Sequence, residues 1–190
     1  MKILIAYALK DERVSLAIDG AEIVEVVTGI GKTQAAASLA FAIAEHKPDA
    51  VLNIGTVGTY RHRVGDILVS RKFVDRDIQR LPLNGVPKAL ETEQGMLPQW
   101  PSVIEGRESR DTMTINTGDN FVTSADEDLG CDAVDMESFA MAWTCRKAEL
   151  PFMAVKYVTD ILGQNSVAAW AEKLESARRD LEKYFRNNNR

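Results

Sequence analysis

Almost uniformly apolar runs recur along this chain, at Ile3–Leu9, Ala50–Ile54 and Phe152–Val155. A strand that is apolar on both faces is typical of a parallel sheet covered by helices, whereas a strand facing water alternates. The alanine-rich run Gln34–His46 and the stretch after Asp160 have helical patterns. The sequence therefore predicts an α/β fold with a largely parallel, mixed central sheet flanked by helices, in a single domain spanning 1–190.

Charge and cysteine content exclude several classes of protein. The net charge of −5 argues against a non-specific nucleic-acid binder and against binding to an anionic membrane. Cys131 and Cys145 have neither CxxC nor metal-ligand spacing, so we expect free thiols and no metal site. We also expect no cofactor. The apolar N-terminal run is too short to span a membrane and has no cleavage site, so we expect a cytoplasmic protein.

Two acids interrupt an otherwise apolar segment in the second half of the chain. Between Cys131 and Glu149 the apolar residues recur at helical spacing, with Asp135 and Glu137 in the first half. The acids could lie on the solvent side of a helix or near its positive N-terminal end. Alternatively they are buried, which costs several kcal/mol unless a partner compensates the charge. Asp160 ends a buried strand, and such a position delivers its carboxylate to the ligand-binding rim of an α/β sheet.

Three glycine-containing turns follow predicted strands. Gly29–Thr33 lacks the first glycine of a phosphate-binding loop, because Val26 stands at that position. Gly55–Thr59 offers backbone N–H groups and a hydroxyl to a ligand, or is an ordinary turn. Gly118–Val122 contains Phe121, which by itself is typical of a loop anchor packed on the core. Val14–Thr28 contains two β-like pieces joined by Asp19-Gly20, a hairpin signal.

The sequence Val-Asp-Met-Glu-Ser-Phe-Ala at Val134–Ala140, followed by a strand ending Val-Thr-Asp at Asp160, resembles the nucleoside phosphorylase superfamily. Within it, the chain is most similar to the methylthioadenosine/S-adenosylhomocysteine nucleosidases. The three glycine turns have counterparts at the same places in that family, so the resemblance covers nearly the whole chain. It implies a three-layer phosphorylase/hydrolase-like fold and a homodimer.

The resemblance also implies roles for two catalytic acids. Glu12, after the first strand, would deprotonate the water that attacks C1′ of the ribose, with Asp11 as the alternative. Asp160 would donate a proton or hydrogen bond to N7 of the departing purine, which requires a raised pKa. Thr56 would help to hold the water, and Glu137 would place a negative charge near the oxocarbenium ion.

The remaining predicted contacts bind the substrate. The family's Met-Glu pair grips the ribose, and its Gly-Asp-x-Phe segment stacks on the purine and reads the purine edge through the next residue's backbone. Carried over, these contacts fall to Met136, Glu137, Phe121 and Val122. The predicted substrate-binding residues also include two at strand ends, Gly58 and Thr159.

Several alternatives stay open at this point. An acid at Glu12, where phosphorylases of the superfamily have a phosphate loop, favours hydrolysis over phosphorolysis. Lys156 replaces an arginine that is usual in the nucleosidases, so the substrate could be methylthioadenosine, adenosylhomocysteine, futalosine or a plain purine nucleoside. A non-catalytic nucleoside-binding protein is the other reading. The alternating charges Asp75–Asp77 are either a salt-bridge cluster or a rim of the pocket, and the proline-rich stretch Leu81–Gly106 is predicted to be a loop.

Overall fold

The computed structural model describes residues 1–104, 106–109, 111–122, 130–164 and 166–189, apart from the side chains of 107, 108, 166, 167 and 169. The strands are β1 (Lys2–Tyr7), β2 (Glu22–Val27), β3 (Ala50–Thr59), β4 (Ile67–Asp75), β5 (Ala89–Glu91), β6 (Ser102–Ile104), β7 (Arg107–Ser109), β8 (Met113–Thr117), β9 (Ala133–Asp135) and β10 (Phe152–Ile161). The helices are α1 (Lys32–His46), α2 (Ser138–Lys147) and α3 (Ser166–Asn188), with a short 3₁₀ turn at Lys10–Glu12.

The strands form one mixed sheet whose central part closes on itself. β2, β1, β3 and β10 are parallel neighbours, and β10 then pairs antiparallel with β4. β4 runs parallel to β8, and β8 runs parallel to β9. β9 returns to β3 through the pair Gly58 and Val134, so β3, β10, β4, β8 and β9 make a closed ring. The predicted α/β class is confirmed, with a sheet that is mixed.

Helices cover both faces of this sheet, which gives the predicted three layers. In β1, Leu4 and Ala6 enter the core beneath α1 and α2, whereas Ile3, Ile5 and Tyr7 enter the core beneath α3. β10 divides its side chains between the same two cores. The uniformly apolar runs of the sequence are thus explained, since each strand has a buried partner on both faces. No helix within the described ranges combines the length and the apolarity needed to cross a membrane.

The segment Cys131–Glu149 is not one helix, and that prediction was wrong in its first half. Ala133–Asp135 is a strand, and the helix begins only at Ser138. The Asp135 carboxylate accepts hydrogen bonds from the backbone N–H and the hydroxyl of Ser138. This contact lies at the start of the helix, while Ala133–Asp135 are held in the sheet by pairing with β8.

Two further local predictions were wrong. Val14–Ile18 is irregular, and β2 pairs parallel with β1, so Asp19-Gly20 does not connect a hairpin. The turn instead returns the chain to the start of β1, where the N–H of Glu22 donates to the carbonyl of Met1. The proline-rich stretch contains two short strands, β5 and β6, both paired with β4. Short strands of this kind tolerate prolines because the prolines lie outside the paired residues.

Candidate active site

A cavity of about 190 Å³ opens where β1, β3, β9 and β10 end and where the first turns of α3 pass over the sheet. Both acidic and apolar side chains line this cavity. The lining residues are Ala8, Leu9, Glu12, Ile30, Thr56, Val57, Gly58, Arg76, Asn120, Phe121, Val122, Val134, Asp135, Met136, Glu137, Asp160, Leu162 and Trp170.

Glu12 is buried at this cavity although the segment around it is charged. The 3₁₀ turn after β1 directs its side chain inward, so that only 7% of Glu12 remains exposed. Its Oε1 accepts hydrogen bonds from the N–H and the hydroxyl of Thr56, at 3.1 and 2.9 Å, and Oε2 accepts from the N–H of Leu9 at 3.2 Å. Burial raises the pKa of Glu12, opposed by the charge of Lys156 and by these bonds. Asp11, the alternative base, is exposed and does not line the cavity.

Asp160 approaches the same cavity from β10. A Cβ atom on Gly58 would lie 2.7 Å from Asp160 Oδ2, so only glycine leaves room for this carboxylate against β3. Thr159 is fully buried and does not line the cavity. Its hydroxyl lies 2.8 Å from Asp160 Oδ1 and 3.3 Å from the carbonyl of Val57. Thr159 therefore contacts the Asp160 carboxylate, and Gly58 shapes the wall beside it.

Met136 and Glu137 lie between β9 and α2, on another wall of the cavity. Glu137 is 7% exposed, and its Oε1 accepts a hydrogen bond of 2.9 Å from the N–H of Gly31 in the turn before α1. Burial and the neighbouring Asp135 raise the pKa of Glu137 to about 7. The Gly29–Thr33 turn thus presents a backbone donor to a carboxylate of the protein itself.

A buried ion pair lies beneath these acids. Lys156 Nζ is 3.1 Å from Asp135 Oδ2, and both side chains are 2% exposed. The hydroxyl of Thr117 donates to Asp135 Oδ1 at 2.6 Å. The charge of Lys156 also opposes the rise that burial causes in the pKa of Glu12 and of Glu137. One lysine therefore compensates, in part, for three neighbouring carboxylates.

Phe121 and Val122 line the mouth of the cavity after the turn that follows β8. Phe121 is 38% exposed, so it is not the core anchor that its position alone would suggest. The turn is held by Arg76, whose guanidinium donates to the carbonyls of Asn116 and Asn120 at 3.0 and 2.7 Å. Phe121 is therefore a partly exposed ring on a fixed turn.

The Asp75–Asp77 segment is both a salt-bridge cluster and part of the site. Lys32 Nζ lies 2.9 Å from Asp75 and 2.7 Å from Asp77, and the Lys32 N–H donates to Asp119. These contacts tie the turn before α1 to the turn after β8. Arg76, between the two acids, lines the cavity.

The sequence analysis assigned no site role to Asp135 or Trp170, and it left the role of Arg76 open. A polar signal existed for Asp135, because Lys156 in an apolar strand needs a buried anion. Trp170 is one of the apolar residues that recur at three- and four-residue steps after Asp160, a pattern that predicts a core position. In the structure it is half-buried at the cavity, and its Nε1 donates to Thr56 Oγ1 at 3.0 Å. No pattern in the sequence distinguishes a core position for Trp170 from a position at the cavity.

Known proteins resemble this chain in sequence and in fold. The family model of the phosphorylase superfamily matches residues 10–187. A 5′-methylthioadenosine/S-adenosylhomocysteine nucleosidase from Bacillus cereus is 27% identical over 176 residues, covering 83% of this chain and 76% of the relative.

Two solved structures show the same fold. The nucleosidase of the same description from Colwellia psychrerythraea, in complex with adenine, has a TM-score of 0.76 and 26% identity, covering 100% of this chain and 94% of that chain. The native structure of a futalosine hydrolase from Helicobacter pylori has a TM-score of 0.78 and 19% identity, covering 97% of this chain and 95% of that chain.

Proposed function

Since this chain belongs to the phosphorylase superfamily, we propose that it is an N-glycosidase that hydrolyses purine nucleosides. The substrate class is a nucleoside such as 5′-methylthioadenosine or S-adenosylhomocysteine, and the products are the free base and the ribosyl fragment. The names of the Bacillus cereus relative and the Colwellia psychrerythraea structure support this class.

The hydrogen bonding of Glu12 is the observation that carries hydrolysis rather than phosphorolysis. Two backbone N–H groups, from Leu9 and Thr56, and the Thr56 hydroxyl point to its carboxylate. Backbone donors of this kind bind an anion when one is present. Here a carboxylate of the chain occupies them, and its negative charge repels phosphate. A water molecule is the remaining nucleophile.

The proposed reaction needs a base on one side of the cavity and an acid on the other. Glu12 takes a proton from water while the water oxygen bonds to C1′ of the ribose. The C1′–N9 bond breaks, and its electron pair goes to the purine, which receives a proton at N7 from Asp160. Glu137, near the ribose, stabilises the positive charge that develops there, provided that it is ionised. The division of labour parallels that of glycoside hydrolases with two carboxyl groups.

Met136, Phe121 and Val122 complete the proposed binding site. The exposed ring of Phe121 can stack on a purine, and such stacking contributes about 1–3 kcal/mol per base. Val122 follows it on the cavity wall and supplies backbone groups for the purine edge. Gly58 and Thr159 act through Asp160, since one leaves room for its carboxylate and the other contacts it.

Arg76 favours a second candidate substrate. Its Nε is buried and has no hydrogen-bond acceptor among the described residues, although the side chain lines the cavity. A nucleoside with an additional carbonyl or carboxylate group would supply that acceptor. A futalosine-type hydrolase is therefore the second candidate, and it uses the same acid and base.

We further propose that the protein is a homodimer in the cytoplasm. Ile30 and Phe121 line the cavity yet are 42% and 38% exposed, and Leu81 and Leu83 are also exposed, at 42% and 54%. Apolar side chains at a site mouth favour burial by a second subunit. Two buried free thiols suit a reducing compartment. Light scattering on purified protein gives the mass that tests the dimer.

Residues 1–190 are proposed to form one domain, because β1 and β10, from opposite ends of the chain, contribute to both cores. Such a domain would unfold in one transition by circular dichroism. Two transitions would indicate separate units.

Product analysis tests the function directly. The purified protein is incubated with methylthioadenosine, adenosylhomocysteine, futalosine and inosine, in phosphate-free buffer and again with phosphate. We expect free base in both buffers. Release that requires phosphate would indicate a phosphorylase, and bound nucleoside without release would indicate a binding protein.

Matched variants at adjacent positions identify the base. Glu12→Gln should lose about 10²–10⁴-fold in kcat, the usual contribution of general acid–base catalysis, while retaining affinity for adenine. Asp11→Asn removes an exposed carboxylate one residue away and should retain wild-type kcat. The opposite result would transfer the role of base to Asp11.

A further inference from the structure

The indole of Trp170 is the one contribution of α3 to the described lining of the cavity. α3 packs against β10 and against the 3₁₀ turn that carries Glu12. The indole Nε1 lies 3.0 Å from Thr56 Oγ1. This hydrogen bond joins the C-terminal helix to the strand that faces Glu12.

The chemistry of the two groups fixes the direction of this bond. An indole N–H only donates, so Thr56 Oγ1 must accept. A hydroxyl has one proton, and the Thr56 proton is therefore available to Glu12 Oε1 at 2.9 Å. An ionised carboxylate only accepts, which matches that direction. The three groups form a chain in which Trp170 donates to Thr56 and Thr56 donates to Glu12.

We propose that Trp170 is a positioning residue, which orients the hydroxyl of Thr56 toward Glu12 and so keeps Glu12 ready to accept a proton. Without the indole N–H, the hydroxyl could rotate and donate elsewhere, for example to the attacking water. The inference rests on the proposed role of Glu12 as the base. It adds an uncharged residue to the proposed acids of the site, on a helix that otherwise covers the sheet.

Other charged groups around Glu12 also influence its protonation. Lys156 of β10 lowers the pKa of Glu12, and Glu137, after β9, is a like charge within electrostatic range. Asp135 is paired with Lys156. Asp11 and Lys10 lie on the same 3₁₀ turn but are exposed. Trp170 itself is uncharged, so replacing it changes the hydrogen bonding of Glu12 and leaves these charges in place.

The variant Trp170→Phe removes the N–H and keeps an aromatic ring. A hydrogen bond to the charged form of Glu12 favours that form, so weakening it should raise the pKa of the base. We expect the acidic limb of kcat/KM to move to higher pH by roughly half a unit to one unit. Below that limb the activity should fall about threefold to tenfold, in kcat more than in KM. Trp143→Phe, in α2 and away from the cavity, removes another indole N–H and should not move the limb.

The same substitution in a Thr56→Val variant distinguishes an effect through the Thr56 hydroxyl from an effect of packing. In Thr56→Val the hydroxyl is absent, so adding Trp170→Phe should not shift the limb further. An equal shift in both backgrounds would show that Trp170 acts through packing, and the proposal would be wrong. A limb that does not move in Trp170→Phe would overturn it as well.

A direct titration keeps this test independent of the proposed reaction. The carboxyl infrared bands of isotope-labelled glutamates are followed with pH in wild type, Trp170→Phe and Glu12→Gln, where the last variant identifies the band of Glu12. We expect a higher midpoint for Glu12 in Trp170→Phe, whatever substrate the protein uses. An unchanged midpoint refutes the role of Trp170, whereas absence of base release from the wild type refutes only the proposed function.

Discussion

Replacing Lys156 by methionine tests whether one buried cation stabilises the acidic site. Methionine keeps the length of the side chain but leaves Asp135 without its counter-ion at 3.1 Å. At an effective dielectric constant of about 20, the attraction at this distance is about 5 kcal/mol. Breaking a buried pair on one side typically costs about 3–5 kcal/mol, so we expect a loss of that size in the free energy of unfolding at pH 8.

The loss should depend on pH in a defined direction. Without the cation, the pKa values of Glu12 and Glu137 rise further in the folded variant, because the charge of Lys156 no longer opposes the effect of their burial. The folded variant then binds more protons, so its stability rises relative to wild type as the pH falls. Urea unfolding at pH 8 and pH 5.5, followed by circular dichroism, should therefore give a smaller loss at pH 5.5.

Two controls identify the cause of the loss. Lys2→Met breaks the exposed pair with Glu22, whose side chains are 32% and 65% exposed, and should cost less than about 1 kcal/mol. The double variant Asp135→Asn/Lys156→Met removes both charges and should recover much of the stability. If Lys156→Met cost no more than Lys2→Met, the compensation of buried charge by Lys156 would be refuted.

Three further changes test individual contacts of the site. Gly58→Ala places a Cβ 2.7 Å from Asp160 Oδ2 and should displace the Asp160 carboxylate. We expect kcat to fall about 10²-fold. A variant with wild-type kcat would show that the added methyl group does not displace Asp160. Glu137→Gln should stabilise the fold at pH 8 by up to about 3 kcal/mol, because the pKa of Glu137 is raised to about 7 in the folded protein. In urea unfolding this gain should disappear as the pH falls toward the unfolded pKa of about 4.5. A gain that stays constant with pH would contradict the raised pKa. Phe121→Ala should weaken adenine binding by about 1–3 kcal/mol in calorimetry, and an unchanged affinity would exclude stacking by this ring.

Much of the site follows from where the strands end. An acid after a buried strand, as at Asp160, lies at the rim of the sheet for topological reasons, and the sequence predicted that position. The place of Glu12 was predicted only by the family resemblance, since a charged run after a strand is by itself typical of a solvated loop, and its inward orientation depends on donors from Thr56 and Leu9. Strand order thus indicated the rim of the sheet, and the resemblance indicated which residues would meet there.

The remaining features depend on contacts between distant segments. Gly31 and Glu137 are 106 residues apart in sequence, and no local pattern shows that one donates to the other. The apolar periodicity that predicted a helix from Cys131 cannot exclude a three-residue strand at its start, because both place apolar residues inward. Trp170 fits the buried stripe of α3, yet the first turns of that helix extend beyond the sheet and over the cavity.

Closure of the strands into a ring has a consequence for amide hydrogen exchange. β3, β10, β4, β8 and β9 hold one another without a free edge at Gly58 and Val134, and two of these strands, β9 and β10, carry or precede Asp135, Glu137 and Asp160. Opening any one of them breaks the ladders of two neighbours, so amides near Gly58 and Asp160 should exchange only when the whole domain unfolds. The turn carrying Phe121 lies outside the ring and should exchange much earlier. Asp160 and Glu137 are therefore held by the slowest-opening part of the molecule, whereas the turn that carries Phe121 depends on its own hydrogen bonds to Arg76.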